Sequence, residues 1–197
     1  MNELVQIDRP AFRQIYIVVS QTGTLLSRIL KAVTGAKYNH VSLSLSPDLM
    51  RMYSFGRLHP YNPFWGGFVM ESPCTGTFKR FTATRVIVFS LSVSGEVYDK
   101  IACTVERMLS ERDAYHYNYL GLFLAAVHIR YRRDKRYYCS EFVRELLFRY
   151  RVNGAELLPP IVQPIHFLMM PNLRMIYCGY LRNYPTKQRQ GRCVPQR

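Results

Sequence analysis

One cysteine and one histidine carry the residue types that thiol-dependent acyl transfer needs. Cys139 stands in "KRYYCSEFVRELLFRY" (135–150), at the front edge of a segment with helical spacing. Unpaired backbone N–H groups and the helix dipole favour an anion at a first turn, and a thiolate is such an anion. The preceding Arg and Lys residues add positive potential. A nucleophilic thiol also needs a base, and the chain has five histidines. His40 opens the alternating stretch "HVSLSLS" (40–46), which places it at a sheet margin, where it could project toward a helix terminus. His59 and His116 fall in loop-like sequence, and His128 and His166 in apolar contexts, which suits solvated or structural roles. Against this stands a plainer reading of Cys139. It lies on the apolar stripe of its helix, and free cysteine is among the most buried residue types. From the residues alone both readings stand.

The elements that must position these residues are legible from periodicity. "IYIVVS" (15–20) reads as a strand, and Leu25, Leu26, Ile29, Leu30 and Val33 share one face of a helix stopped by Gly35. The alternation over 40–46 marks a strand with one covered face. A "PD" turn then leads into "MRMYSFG" (50–56) as the returning strand of a hairpin. "FVMES" (68–72), "RVIVFSLSVS" (85–94) and "LRMIYCGYL" (173–181) read as further strands. Helices are expected over 96–112, over an apolar segment at 118–129 whose length suits burial, and from Cys139 to Tyr150. In the last, Cys139, Phe142, Val143, Leu146, Leu147 and Tyr150 form the apolar face, with Ser140, Glu141, Arg144, Glu145 and Arg149 opposite. The fold class expected is α+β with a largely antiparallel sheet packed against helices. A single domain is expected over 1–184, with a basic tail over 185–197.

Composition bounds the function. The apolar share of 48% is that of a globular chain, and no apolar run approaches the roughly 18 residues that cross a bilayer. The first residues lack a secretory pattern, which points to the cytoplasm, where five cysteines without a CxxC pair read as free thiols. No Cys/His spacing resembles a zinc site, and no metal or organic cofactor is implied. The net charge of +14 is the strongest compositional signal. Arg130, Arg132, Arg133, Lys135 and Arg136 concentrate it just before Cys139, and the tail repeats it. A polyanionic partner fits that charge: an anionic membrane, a cell-wall polymer or nucleic acid. No nucleic-acid-binding motif accompanies it.

The blocks "YNHVSLSLS", "MYSFGR", "GGFVMES", "YHYNYLGL" and "YYCSEFV", in that order, resemble the circularly permuted NlpC-type branch of the papain-like cysteine hydrolases, and "YSFGR" is similar to an uncharacterised bacterial subgroup of it. The likeness runs from about Ile15 to Pro164. In that branch the histidine strand precedes the cysteine helix, the order found here. The resemblance implies a papain-like fold with Cys139 as nucleophile at a helix N-terminus and His40 as general base. It also implies a third polar residue that orients the histidine. Glu71 has the carboxylate chemistry for this, and Ser54, on the returning hairpin strand, has the position. Tyr38 is near enough to His40 to line the site.

The activity so implied is that of a cysteine peptidase or amidase working through a thioester, with His40 moving the proton and helix-start N–H groups holding the oxyanion. The substrate would be a peptide or another acyl compound. A thiol-dependent acyltransferase or lipase acting on lipid is the nearest alternative, with "PYNPFWGGF" as an apolar loop. A non-catalytic polyanion-binding protein on the same scaffold is a third reading.

Overall fold

A computed structural model of the chain describes residues 11–22, 37–59 and 65–185. The helix expected over 25–33, the loop tip at 60–64 and the basic tail beyond 185 lie outside them. Eight strands form one sheet: β1 (Phe12–Gln21), β2 (His40–Ser44), β3 (Met52–Arg57), β4 (Gly66–Glu71), β5 (Arg85–Ser94), β6 (His116–Tyr117), β7 (Arg136–Tyr137) and β8 (Arg174–Tyr180). Their order across the sheet is β7-β6-β4-β3-β2-β1-β5-β8, antiparallel except for the β6–β7 pair. Among the described residues four α-helices accompany them: α1 (Gly76–Arg80), α2 (Gly95–Ser110), α3 (Tyr119–Ala126) and α4 (Cys139–Arg149). The architecture is mixed α+β, an open and mostly antiparallel sheet with few helices. Among the described residues no helix is long and apolar enough to cross a membrane.

Alternation along the strands divides the core. Val41 and Leu43 of β2 point to one face with Ile15, Ile17 and Val19 of β1, and there they meet Val143, Leu146 and Leu147 of α4 and Ile101 and Val105 of α2. Each fully buried aliphatic side chain contributes about 1.5–3 kcal/mol, so this face accounts for most of the stabilisation. Tyr16, Val18, Met52, Phe78, Val86 and Val88 make a smaller cluster on the other face. The β1–β2 register sets Ser20 opposite His40, so His40 enters at the very end of its strand.

Four expectations change. The apolar segment at 118–129 is not a buried helix: α3 ends at Ala126, and His128, at φ 61°, turns the chain back while Ile129 N–H donates to Leu124 C=O at 2.9 Å. Leu120, Phe123, Val127 and Ile129 are left exposed. Ser140 and Glu141 do not face solvent: Ser140 Oγ donates to Val162 C=O at 2.7 Å, and Glu141, 11% exposed, lies 3.8 Å from Arg132 Nε. Cys103, Cys139 and Cys178 are free thiols, but Cys74 is disulfide-bonded. β6 stands in sequence that reads as loop at His116, and α1 and β7 fall where no element was assigned.

Candidate active site

Three strands and one helix end bring the candidate residues together. β2 delivers His40 and, two residues on and therefore on the same face, Ser42. β3 lies between β2 and β4, and β4 ends on Glu71. The carboxylate of Glu71 crosses back to the imidazole: His40 Nε2 lies 2.9 Å from Oε2 and 3.1 Å from Oε1. Ser42 Oγ donates to Oε2 at 2.7 Å and sits 3.3 Å from the same ring nitrogen. Gly56 of β3 keeps this crossing open, because a Cβ there would meet Val69 Cγ2 at 3.3 Å and Glu71 Oε1 at 3.4 Å. The ring of Phe78, from α1, covers the imidazole at a centroid distance of 6.3 Å.

Cys139 begins α4, near enough to the His40 ring and the Tyr117 hydroxyl to raise the pKa of both. The N-cap, Tyr138, makes no side-chain cap bond, so the first-turn N–H groups have no side-chain acceptor at that position. The His40 and Glu71 side chains are only 13% and 14% exposed, so their charges interact with little screening. Burial alone would lower the His40 pKa. The Glu71 charge, the hydrogen bonds to Cys139 and Glu71 and the Cys139 charge outweigh it, and the imidazole titrates well above its ordinary 6.5. The protonated ring is thereby favoured where it sits, between the Glu71 carboxylate and Cys139. Burial, the Cys139 charge and the bond to that thiol push the Tyr117 phenol well above its usual 10, so it remains an O–H donor.

The arrangement can hold a thiolate against an imidazolium whose orientation and charge a carboxylate maintains, the set of roles that nucleophilic acyl transfer requires. Of the sequence candidates, Cys139, His40 and Glu71 meet. Tyr38 lines the cleft in front of Cys139. Ser54 does not reach the histidine side chain: it is fully buried, and its hydroxyl donates to Val41 C=O at 2.7 Å. Two participants were missed. Ser42 was available from the period-two alternation that begins at His40. Tyr117 had no such signal, because it is set by a two-residue strand held through pairing of Gly67 with His116 and of Tyr117 with Tyr137. Among the described residues no three His, Cys, Asp or Glu side chains converge as a metal site.

Protein-family models, curated proteins and solved structures were all compared with the chain. It matches none of them. The cleft at Cys139 is walled by Tyr38 and Asn39 ahead of β2 and by Leu122, Ala125 and Ala126 from α3. Val162, Gln163 and Pro164 close its far side. The lining is mostly apolar, with Cys139 and Ser140 among it, the usual composition of a small-molecule or side-chain pocket.

Proposed function

We propose that this protein is a cysteine hydrolase on a permuted NlpC-type papain-like scaffold, cleaving an amide or ester through a thioester on Cys139. The observation that carries the reading is the buried relay Glu71–His40–Cys139, with 2.9 Å between Nε2 and Oε2. The Cys139 thiolate attacks the carbonyl carbon, and the N–H groups at the start of α4 and the Tyr117 hydroxyl receive the developing oxyanion. His40 passes its proton to the leaving nitrogen or oxygen as the C–N or C–O bond breaks. Neutral His40 then takes a proton from water, which attacks the thioester and releases the acid and the thiolate. Glu71 holds the ring in place and balances its charge throughout, with Ser42 fixing the carboxylate.

A peptide or amide substrate is the first reading. A thiol-dependent acyltransferase or lipase is the second, and the apolar α3 wall of the cleft favours it, since an acyl chain would fit there. A non-catalytic polyanion binder needs none of this relay.

The test is iodoacetamide labelling read by peptide mass spectrometry, with exposed Cys103 and Cys178 as internal references. At neutral pH Cys139 should label, and His40→Ala should slow that labelling about tenfold or more while leaving the references unchanged. A p-nitrophenyl acyl ester should leave an acyl adduct on Cys139 and on no other residue. Labelling indifferent to His40, together with no adduct, would return Cys139 to core packing.

A further inference from the structure

α3 has an unusual composition for a helix with a solvent-facing side. "YLGLFLAA" is apolar all round, a pattern that normally marks a helix buried on every face. Gly121 and Ala125 do pack inward. A Cβ at Gly121 would fall 2.2 Å from Asn118 Nδ2, so only glycine lets the helix seat this closely on its own N-cap. The other face is left open. Leu120, Phe123 and Val127, at i, i+3 and i+7, are 50%, 52% and 61% exposed. Beyond the cap, Ile129 and Tyr131 are exposed too, and Asn118 Nδ2 holds the chain at Tyr131 C=O at 3.1 Å, back against the start of the helix. Five large apolar side chains in one short excursion form a patch, not scattered surface residues.

Cations border the patch. Arg130, Arg133 and Lys135 are exposed beside it, and Arg132 is held by Glu145 at 2.8 Å. An apolar stripe rimmed by Arg and Lys is the composition of a segment that lies in a lipid–water interface. The charge of the whole chain, +14, selects an anionic surface. Nucleic acid would satisfy the cations but offers nothing to Leu120, Val127 and Ile129.

We propose that the exposed face of α3, with Ile129 and the cations of 130–135, docks this protein on an anionic phospholipid bilayer. The inner face of the same helix walls the cleft at Cys139, through Leu122, Ala125 and Ala126. Docking therefore brings the cleft close to the lipid surface. The docking itself does not depend on Cys139 chemistry.

The experiment is vesicle flotation of the full chain, with phosphatidylcholine–phosphatidylglycerol vesicles against phosphatidylcholine alone. The mixed vesicles should carry the protein and the neutral ones should carry far less. Phe123→Asp should weaken binding at least about tenfold, and Arg130→Gln and Arg133→Gln about fivefold each. Phe123 is solvent-facing, so Phe123→Asp should keep the wild-type circular dichroism and Tm. As a second measurement, Phe123→Trp in a Trp65→Phe background should lose fluorescence to brominated acyl chains. Cys139→Ala should float as wild type does, and Phe123→Asp should leave Cys139 labelling unchanged, so failure of either proposal is seen separately. Flotation insensitive to Phe123→Asp, or fluorescence untouched by brominated lipid, overturns the docking face. RNA that displaces the protein from vesicles while Phe123→Asp has no effect identifies a polyanion site instead.

Discussion

Replacing Glu71 by glutamine keeps the shape of the side chain and removes its charge. Two short contacts from Nε2 to a carboxylate, inside a site where both side chains are mostly buried, become at most one neutral hydrogen bond. Bonds to a charged group contribute about 1.5–3 kcal/mol each and neutral ones about 1, so a net loss of about 2 kcal/mol is expected. At about 2–4 °C per kcal/mol for a chain of this size, Tm should fall about 4–8 °C. The loss should depend on pH in a definite direction. His40 titrates higher in the folded protein than in the unfolded chain, so its pair with Glu71 stabilises fully below pH 6.5, the ordinary histidine value. The stabilisation disappears as pH rises through the raised folded value, where the imidazole becomes neutral. The Tm gap between wild type and Glu71→Gln should therefore be widest near pH 6 and narrow as pH rises through the raised His40 value. Burial then acts on His40 without its largest opposing charge, so the ring should titrate lower in the variant, read from its proton chemical shifts. A gap of constant size across that range, or an unmoved His40 titration, would refute the charge-pair argument.

Two further outcomes follow from the same geometry. Ser54→Ala should cost about 1 kcal/mol through the lost bond to Val41 C=O, or about 2–4 °C in Tm, and leave the His40 titration unchanged; a shifted titration would restore Ser54 as the orienting residue. Tyr117→Phe should lower kcat on a p-nitrophenyl acyl ester by about a hundredfold with KM little changed, as expected for a donor that acts on the oxyanion, and an unaltered kcat removes Tyr117 from that role.

The parts of the fold legible in the sequence are those with a repeating pattern. Alternation over 40–46 locates β2 and hence the place of His40, and the apolar stripe of α4 places Cys139 on a helix front. β5 occupies the expected span from Arg85 to Ser94. The choice between Glu71 and Ser54 was not legible, because it depends on side-chain reach across a third strand. A carboxylate on β4 spans that distance, whereas the Ser54 hydroxyl is taken by the backbone of β2. Tyr117, β6 and β7 are fixed by pairing between distant residues, which leaves no local period. Burial of Ser140 comes from the irregular chain at 158–164, and periodicity says nothing about a loop that covers a helix.

The β6–β7 pair closes on itself in a way that bears on how such a protein could diversify. His116 and Tyr117 run parallel to Arg136 and Tyr137, so residues 118–135 leave the sheet and return at one stitched base. Lengthening a segment whose ends are already joined costs little, only about 0.6 kcal/mol per doubling. His40 and Glu71 lie on other strands, and Cys139 follows the stitch. The excursion can therefore be exchanged as a cassette: a different insert between Tyr117 and Arg136 would change what approaches the cleft while the relay beneath keeps its geometry.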